Sequence, residues 1–145
     1  MVNSIKNIVQ RNKDTLRNLL AVLIIGAGIL HFVIPQPFIK IVPGVLPYPA
    51  ALVYISGVCE IILGAGLFFP TVRQLAGWGL VALFIAVYPA NLNMAFNHIK
   101  LTGIPDSWWV HGIRLPLQFV LIAWAYWYTR EPEVTGHDVS SGTGL

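Results

Sequence analysis

Apolar residues fall into four long runs separated by short polar or proline-marked breaks. The runs extend from about Leu19 to Pro35, Ala50 to Phe69, Leu75 to Phe96 and Val110 to Tyr128. A helix needs about 20 mostly apolar residues to cross the hydrocarbon of a bilayer, and each run approaches that length. The first run follows a basic leader as a signal peptide would, but no small-x-small cleavage pattern comes after it, so it reads as a retained span. The lead segment, residues 1–18, spaces Ile5, Ile8, Val9 and Leu16 on one helical face, with Lys6, Arg11, Lys13 and Arg17 largely elsewhere. That pattern suits a helix lying on the inner membrane surface before it turns into the first span. The expected fold is all-α: a transmembrane four-helix bundle (residues 19–128) with an N-terminal amphipathic interfacial segment, a proline-rich outer loop, and a flexible cytoplasmic tail over residues 129–145.

Composition strengthens this reading. The 145-residue chain is 56% hydrophobic and 10% charged, with a mean hydropathy of +0.69. Soluble chains carry roughly 25% charged residues, and a chain this short buries only about 70% of its unfolded surface. Soluble enzymes and nucleic-acid binders are thereby excluded, and the net charge of +3 is spread over both ends and the loops. Orientation follows from the basic residues, which favour the cytoplasmic side. With both termini inside, Lys6, Arg11, Lys13, Arg17, Arg73 and Arg130 are cytoplasmic, and Lys40 and Lys100 lie outside. The outer segment from Gln36 to Pro49 holds four prolines yet stays hydrophobic. It cannot be one continuous helix. A short element packed on the bundle fits, either as the cap of a cavity or as an ordered connector.

Polar side chains inside the apolar runs are the candidate chemistry, because a central charge costs on the order of 2.5–3.5 kcal/mol on insertion scales. Counting the helical rise inward from the outer end of each run gives about 6 Å for His31 and Arg114, about 8 Å for Asn91, about 12 Å for Gln118 and about 15 Å for Glu60. All four runs therefore place polar groups in one outer slab. His111, Arg114, Gln118 and Ala125 share a stripe on the fourth run, and Gly57, Glu60 and Gly64 share one on the second. Ala82, Ala86, Ala90, Asn93 and Asn97 form a small-residue face on the third. Glu60 and Arg114 are the expected ion pair, either a structural lock or part of a polar pocket. His31 reads equally as an interfacial residue or a proton shuttle. His111 reads as a solvated interface residue, and Cys59, the chain's one cysteine, as a small core residue. No dithiol, metal or nucleotide motif is present.

These residues sit in motifs similar to those of the DoxX-like family of small four-helix membrane proteins. They are GILHF at Gly28 to Phe32, IVP at Ile41 to Pro43, SGVCEI around Glu60, GLFFPTVRQLAGWGL from Gly66 to Leu80, PANLNMA from Pro89 to Ala95, and RLPLQ at Arg114 to Gln118. The resemblance covers about Leu19 to Tyr128. It implies a bundle in the bacterial cytoplasmic membrane and a link to quinone redox chemistry, since the family takes its name from a relative tied to a thiosulfate:quinone oxidoreductase. Family-like positions are His31, Glu60, Asn91, Arg114 and Gln118.

The leading expectation is a redox-associated subunit that binds a quinone-like molecule. Glu60 and His31 would be its catalytic, proton-handling groups, and Arg114, Gln118, Asn91 and Asn93 would bind the ligand. Phe32, Tyr54, Tyr88 and Phe119 would lie nearby, and a partner redox protein would supply electrons. Two alternatives stand beside it: a non-enzymatic accessory or assembly protein whose Glu–Arg pair is structural, and a small-solute or proton transporter.

Overall fold

The computed structural model describes residues 1–100 and 107–130. Those residues form five helices and no strand: α1 (Val2–Val33), α2 (Pro35–Ile41), α3 (Pro49–Gly66), α4 (Arg73–Phe96) and α5 (Trp108–Thr129). Three of them, α1, α3 and α4, are long and apolar enough to cross a membrane. They turn residues such as Val22, Ile62, Leu75 and Ile85 outward, an apolar surface suited to lipid. α5 has 22 residues and concentrates Trp and Tyr at its two ends. Residues 131–145 of the expected tail lie outside the described residues.

Proline sets several boundaries. α1 stops at Val33 because Pro35 disfavours a helical Ile34, which adopts φ −133° and ψ 68°. Pro35 then opens α2 at a position where its missing N–H costs nothing. Pro49 opens α3 in the same way, after Tyr48 in the left-handed region at φ 52°. Pro89 and Pro116 lie inside α4 and α5 without ending them. At the other end of the chain, α1 runs unbroken through the lead segment. The amphipathic lead and the first apolar run are therefore one rod, without the turn expected between them.

Small residues bring the helices together. A Cβ added to Gly28 would fall 2.7 Å from the Gly57 carbonyl oxygen, and one added to Gly64 would fall 2.8 Å from the Ile25 side chain. Gly28, Gly57 and Gly64 thus let α1 and α3 meet backbone to backbone. Gly77 does the same between α4 and α5, against Ala125 and Thr129. α3 meets α4 where Gly66 faces Ala76 and Gly79 faces Leu63. Leu20, Leu67, Leu80, Phe84, Ala125 and Tyr128 fill the core at the end of the molecule that carries Thr129. Near α2, Ile41 and Met94 form a smaller cluster.

One expected face is corrected. Ala82, Ala86 and Asn97 of α4 are exposed, and the helix buries Ala76, Leu80, Phe84 and Met94 instead. Lipid is as apolar as these side chains, so the buried face follows from how the helices fit together, with Ala76 against Gly66 and Gly77 against Ala125 and Thr129. α5 follows the expected stripe, with His111, Gln118 and Ala125 buried.

Candidate functional site

Toward the α2 end the helices enclose a cavity of about 420 Å³. It lies at the small end of the roughly 300–1,000 Å³ range of small-molecule sites. His31, Glu60, Asn91, Arg114 and Gln118 all line it, one or more from each long helix. Its other walls are apolar, and Val42, Pro43 and Leu46 of the proline-rich connector close it at the α2 end. The connector therefore caps the cavity, the first of the two arrangements the prolines allowed.

The α1–α3 glycine contact builds one polar wall. A Cβ on Gly57 would meet the His31 Cβ at 2.8 Å, so the absence of that atom is what lets His31 lie beside the next turn of α3. His31 Nδ1 is 2.8 Å from the Ala27 carbonyl oxygen. A carbonyl can only accept, so Nδ1 carries the proton and donates. Glu60 Oε2 lies 3.3 Å from the same nitrogen. That oxygen is buried and makes no hydrogen bond of its own. The imidazole stacks on Phe38 of α2, with ring centroids 4.0 Å apart. Cys59, half-buried, also lines the cavity next to Glu60.

The opposite wall comes from α4 and α5. Asn91 Nδ2 donates to Gln118 Oε1 at 3.0 Å, and Gln118 Nε2 donates to the Phe84 carbonyl at 3.0 Å. Pro89 lacks the N–H that would bond the Ile85 carbonyl, so Gln118 ties α5 to the backbone of α4 immediately before the site of that missing bond. Arg114 Nη1 donates to Met94 Sδ at 2.7 Å, a soft and weak acceptor. Among the described residues no carboxylate lies within 4.0 Å of the Arg114 guanidinium.

Several expectations change accordingly. The Glu60–Arg114 ion pair does not form: Glu60 faces His31, and Arg114 turns to Met94. The reason is adjacency. Glycine contact sets α3 against α1, whereas Arg114 belongs to α5, which packs on α4. Asn93 does not line the cavity; its Nδ2 donates to the Ile41 carbonyl at 2.9 Å and ties α4 to the end of α2. His111 is buried, with its ring edge-on to His98, rather than solvated. Phe32 stacks on Tyr54 and Tyr88 packs on Phe119, and none of the four lines the cavity. Its aromatic wall is Phe38 and Phe84. Met94 was not singled out as a site residue and Phe38 only as a position of the family resemblance, because apolar residues in apolar runs carry no chemical signal of their own.

No curated protein and no solved structure matches the chain. A family model described as a domain of unknown function, DUF8561, matches residues 20–129. That span takes in α3, α4, α5 and the second part of α1 from Leu20 onward, together with every cavity-lining residue. The chain belongs to the DUF8561 family.

Proposed function

We propose that this chain is a DoxX-like, four-span protein of the bacterial cytoplasmic membrane, with both termini inside, that binds a quinone-like molecule in the cavity. It acts there as a redox-associated subunit. The single observation that carries this reading is the convergence of His31, Glu60, Asn91, Arg114 and Gln118 on one otherwise apolar cavity. A flat ring between Phe38 and Phe84 suits the apolar walls. Arg114, whose partner is a thioether, has donors to spare for a ring carbonyl, and such an acceptor is worth more to it than sulfur. Glu60, with one oxygen unsatisfied, is placed to take a proton from a ring hydroxyl. Electrons come from a separate redox protein, since the chain has one cysteine and no dithiol.

The test is equilibrium binding of a benzoquinone with a decyl tail to the purified protein in nanodiscs. Wild type binds it, and Arg114→Ala and Glu60→Gln each lose affinity by about tenfold or more, the scale of one charge-assisted hydrogen bond. Unchanged binding in both variants removes the proposal and leaves the polar wall as a structural feature.

A further inference from the structure

The sides of the cavity are not equally covered. α3 and α4 are pinned together at the Thr129 end, where Gly66 faces Ala76 and Gly79 faces Leu63. Toward α2, the facing sides of the same two helices carry cavity-lining residues, so the space between them widens. Four of those residues, Leu52 and Ile55 on α3 and Ala86 and Pro89 on α4, are exposed as well as lining the cavity; Ile55 is 60% exposed. A residue that borders a cavity and is also open to the outside marks an opening. At the α2 end, half-buried Phe38, Val42 and Pro43 border the cavity, and Leu46 is the one lining residue of the connector that is exposed, against four on α3 and α4. The opening lies between α3 and α4, two of the helices long and apolar enough to cross a membrane.

We infer that the cavity loads sideways from the bilayer, through the gap framed by Leu52, Ile55, Ala86 and Pro89, and that its ligand is a lipid-dissolved amphiphile whose tail trails out between α3 and α4. The inference rests on the ligand reading above and narrows it to molecules with a hydrocarbon tail. A polar head reaches His31, Glu60 and Arg114 without crossing water. The tail stays among acyl chains, where it loses no hydrophobic stabilisation. A cavity of about 420 Å³ then needs to hold only the head.

The experiment uses a benzoquinone with a decyl tail that ends in a diazirine. It is photolysed with the full chain in nanodiscs, with and without an excess of the same quinone lacking the diazirine, and adducts are mapped by mass spectrometry. Adducts that the competitor suppresses are expected on Leu52, Ile55, Ala86 or Pro89. Suppressible adducts on Val42, Pro43 and Leu46 instead would overturn sideways loading while leaving the ligand reading intact. No suppressible adduct anywhere would remove the ligand reading, and this inference with it. Ile55→Trp and Ala86→Trp, both at exposed positions, should cut the suppressible yield about tenfold by filling the gap. Ile62→Trp, exposed on α3 but outside the cavity, should not change it. Equal yields in the three variants would also overturn the inference.

Discussion

The two ends of the molecule spend polar side chains in opposite ways. At the Thr129 end, polar groups go to backbone carbonyls. Gln74 Nε2 donates to the Thr129 carbonyl at 2.9 Å, Arg73 Nε to the Leu67 carbonyl at 3.0 Å, and the Tyr128 hydroxyl to the Lys13 carbonyl at 3.2 Å. The last turns of a helix leave carbonyls without intrahelical partners; Gln74 and Arg73 supply two of these, and Tyr128 adds a bond to a carbonyl within α1, all around fully buried Leu20, Leu67, Leu80 and Tyr128. At the α2 end, polar groups surround a cavity and satisfy one another incompletely. One Glu60 oxygen has no hydrogen bond, and the Arg114 guanidinium rests on sulfur. Both arrangements carry the cost of polar atoms in an apolar setting. One gets helix-end satisfaction and dense packing in return. The other keeps hydrogen-bonding capacity in reserve, as a binding site must.

That contrast can be broken at several places. The largest effect is expected from Gly57→Leu, because its Cβ alone would stand 2.8 Å from the His31 Cβ and 3.0 Å from the Gly28 carbonyl oxygen. The cost should exceed the about 1–3 kcal/mol of ordinary overpacking. Size-exclusion chromatography in detergent should find little monodisperse protein; a wild-type profile would mean that the α1–α3 contact does not build the site. Leu80→Ala, in the dense end, should cost about 2–5 kcal/mol. Thermal unfolding would register the loss, and ligand labelling below the lowered transition should persist.

Gln118→Ala is the variant that should fail on both counts. It strips the Phe84 carbonyl and the Asn91 amide of their partner. Stability should fall by about 1–3 kcal/mol, together with ligand binding; loss of stability with intact binding would make Gln118 a lock only. Gln74→Ala, at the other end, should cost about 0.5–1.5 kcal/mol and leave binding untouched. The smallest change in stability is expected from Glu60→Gln, within about 1 kcal/mol, because the amide keeps the volume and an acceptor oxygen at the same place. A transition temperature far below wild type in that variant would turn Glu60 into a structural residue.

Much of the fold could be read from hydropathy. The four apolar runs lie within a few residues of where α1 ends and α3, α4 and α5 begin and end. Apolar length and proline position are local properties that a chain carries in any context. That His31, Glu60, Asn91, Arg114 and Gln118 belong together was also legible, since the helical rise counted along each run put them all in one slab, and they line one cavity. Partner choice was not. Pairing Glu60 with Arg114 assumed that opposite charges within one outer slab find each other, whereas Gly28 and Gly57 decide that His31 is the nearer group. Asn93 shows the same limit: it shares its segment with Asn91, yet turns to Ile41 rather than to the cavity.

The order of the residues settled which segments are helical, where prolines interrupt them, and that polar groups from every long helix share one slab. Each of these follows from interactions within a few turns of a single chain segment. Which helices touch, that a cavity remains between them, that Arg114 meets sulfur, and that one side stays uncovered were decided by packing. Those features depend on the summed shapes of side chains from separate helices, and backbones approach only where both surfaces are small at the same height.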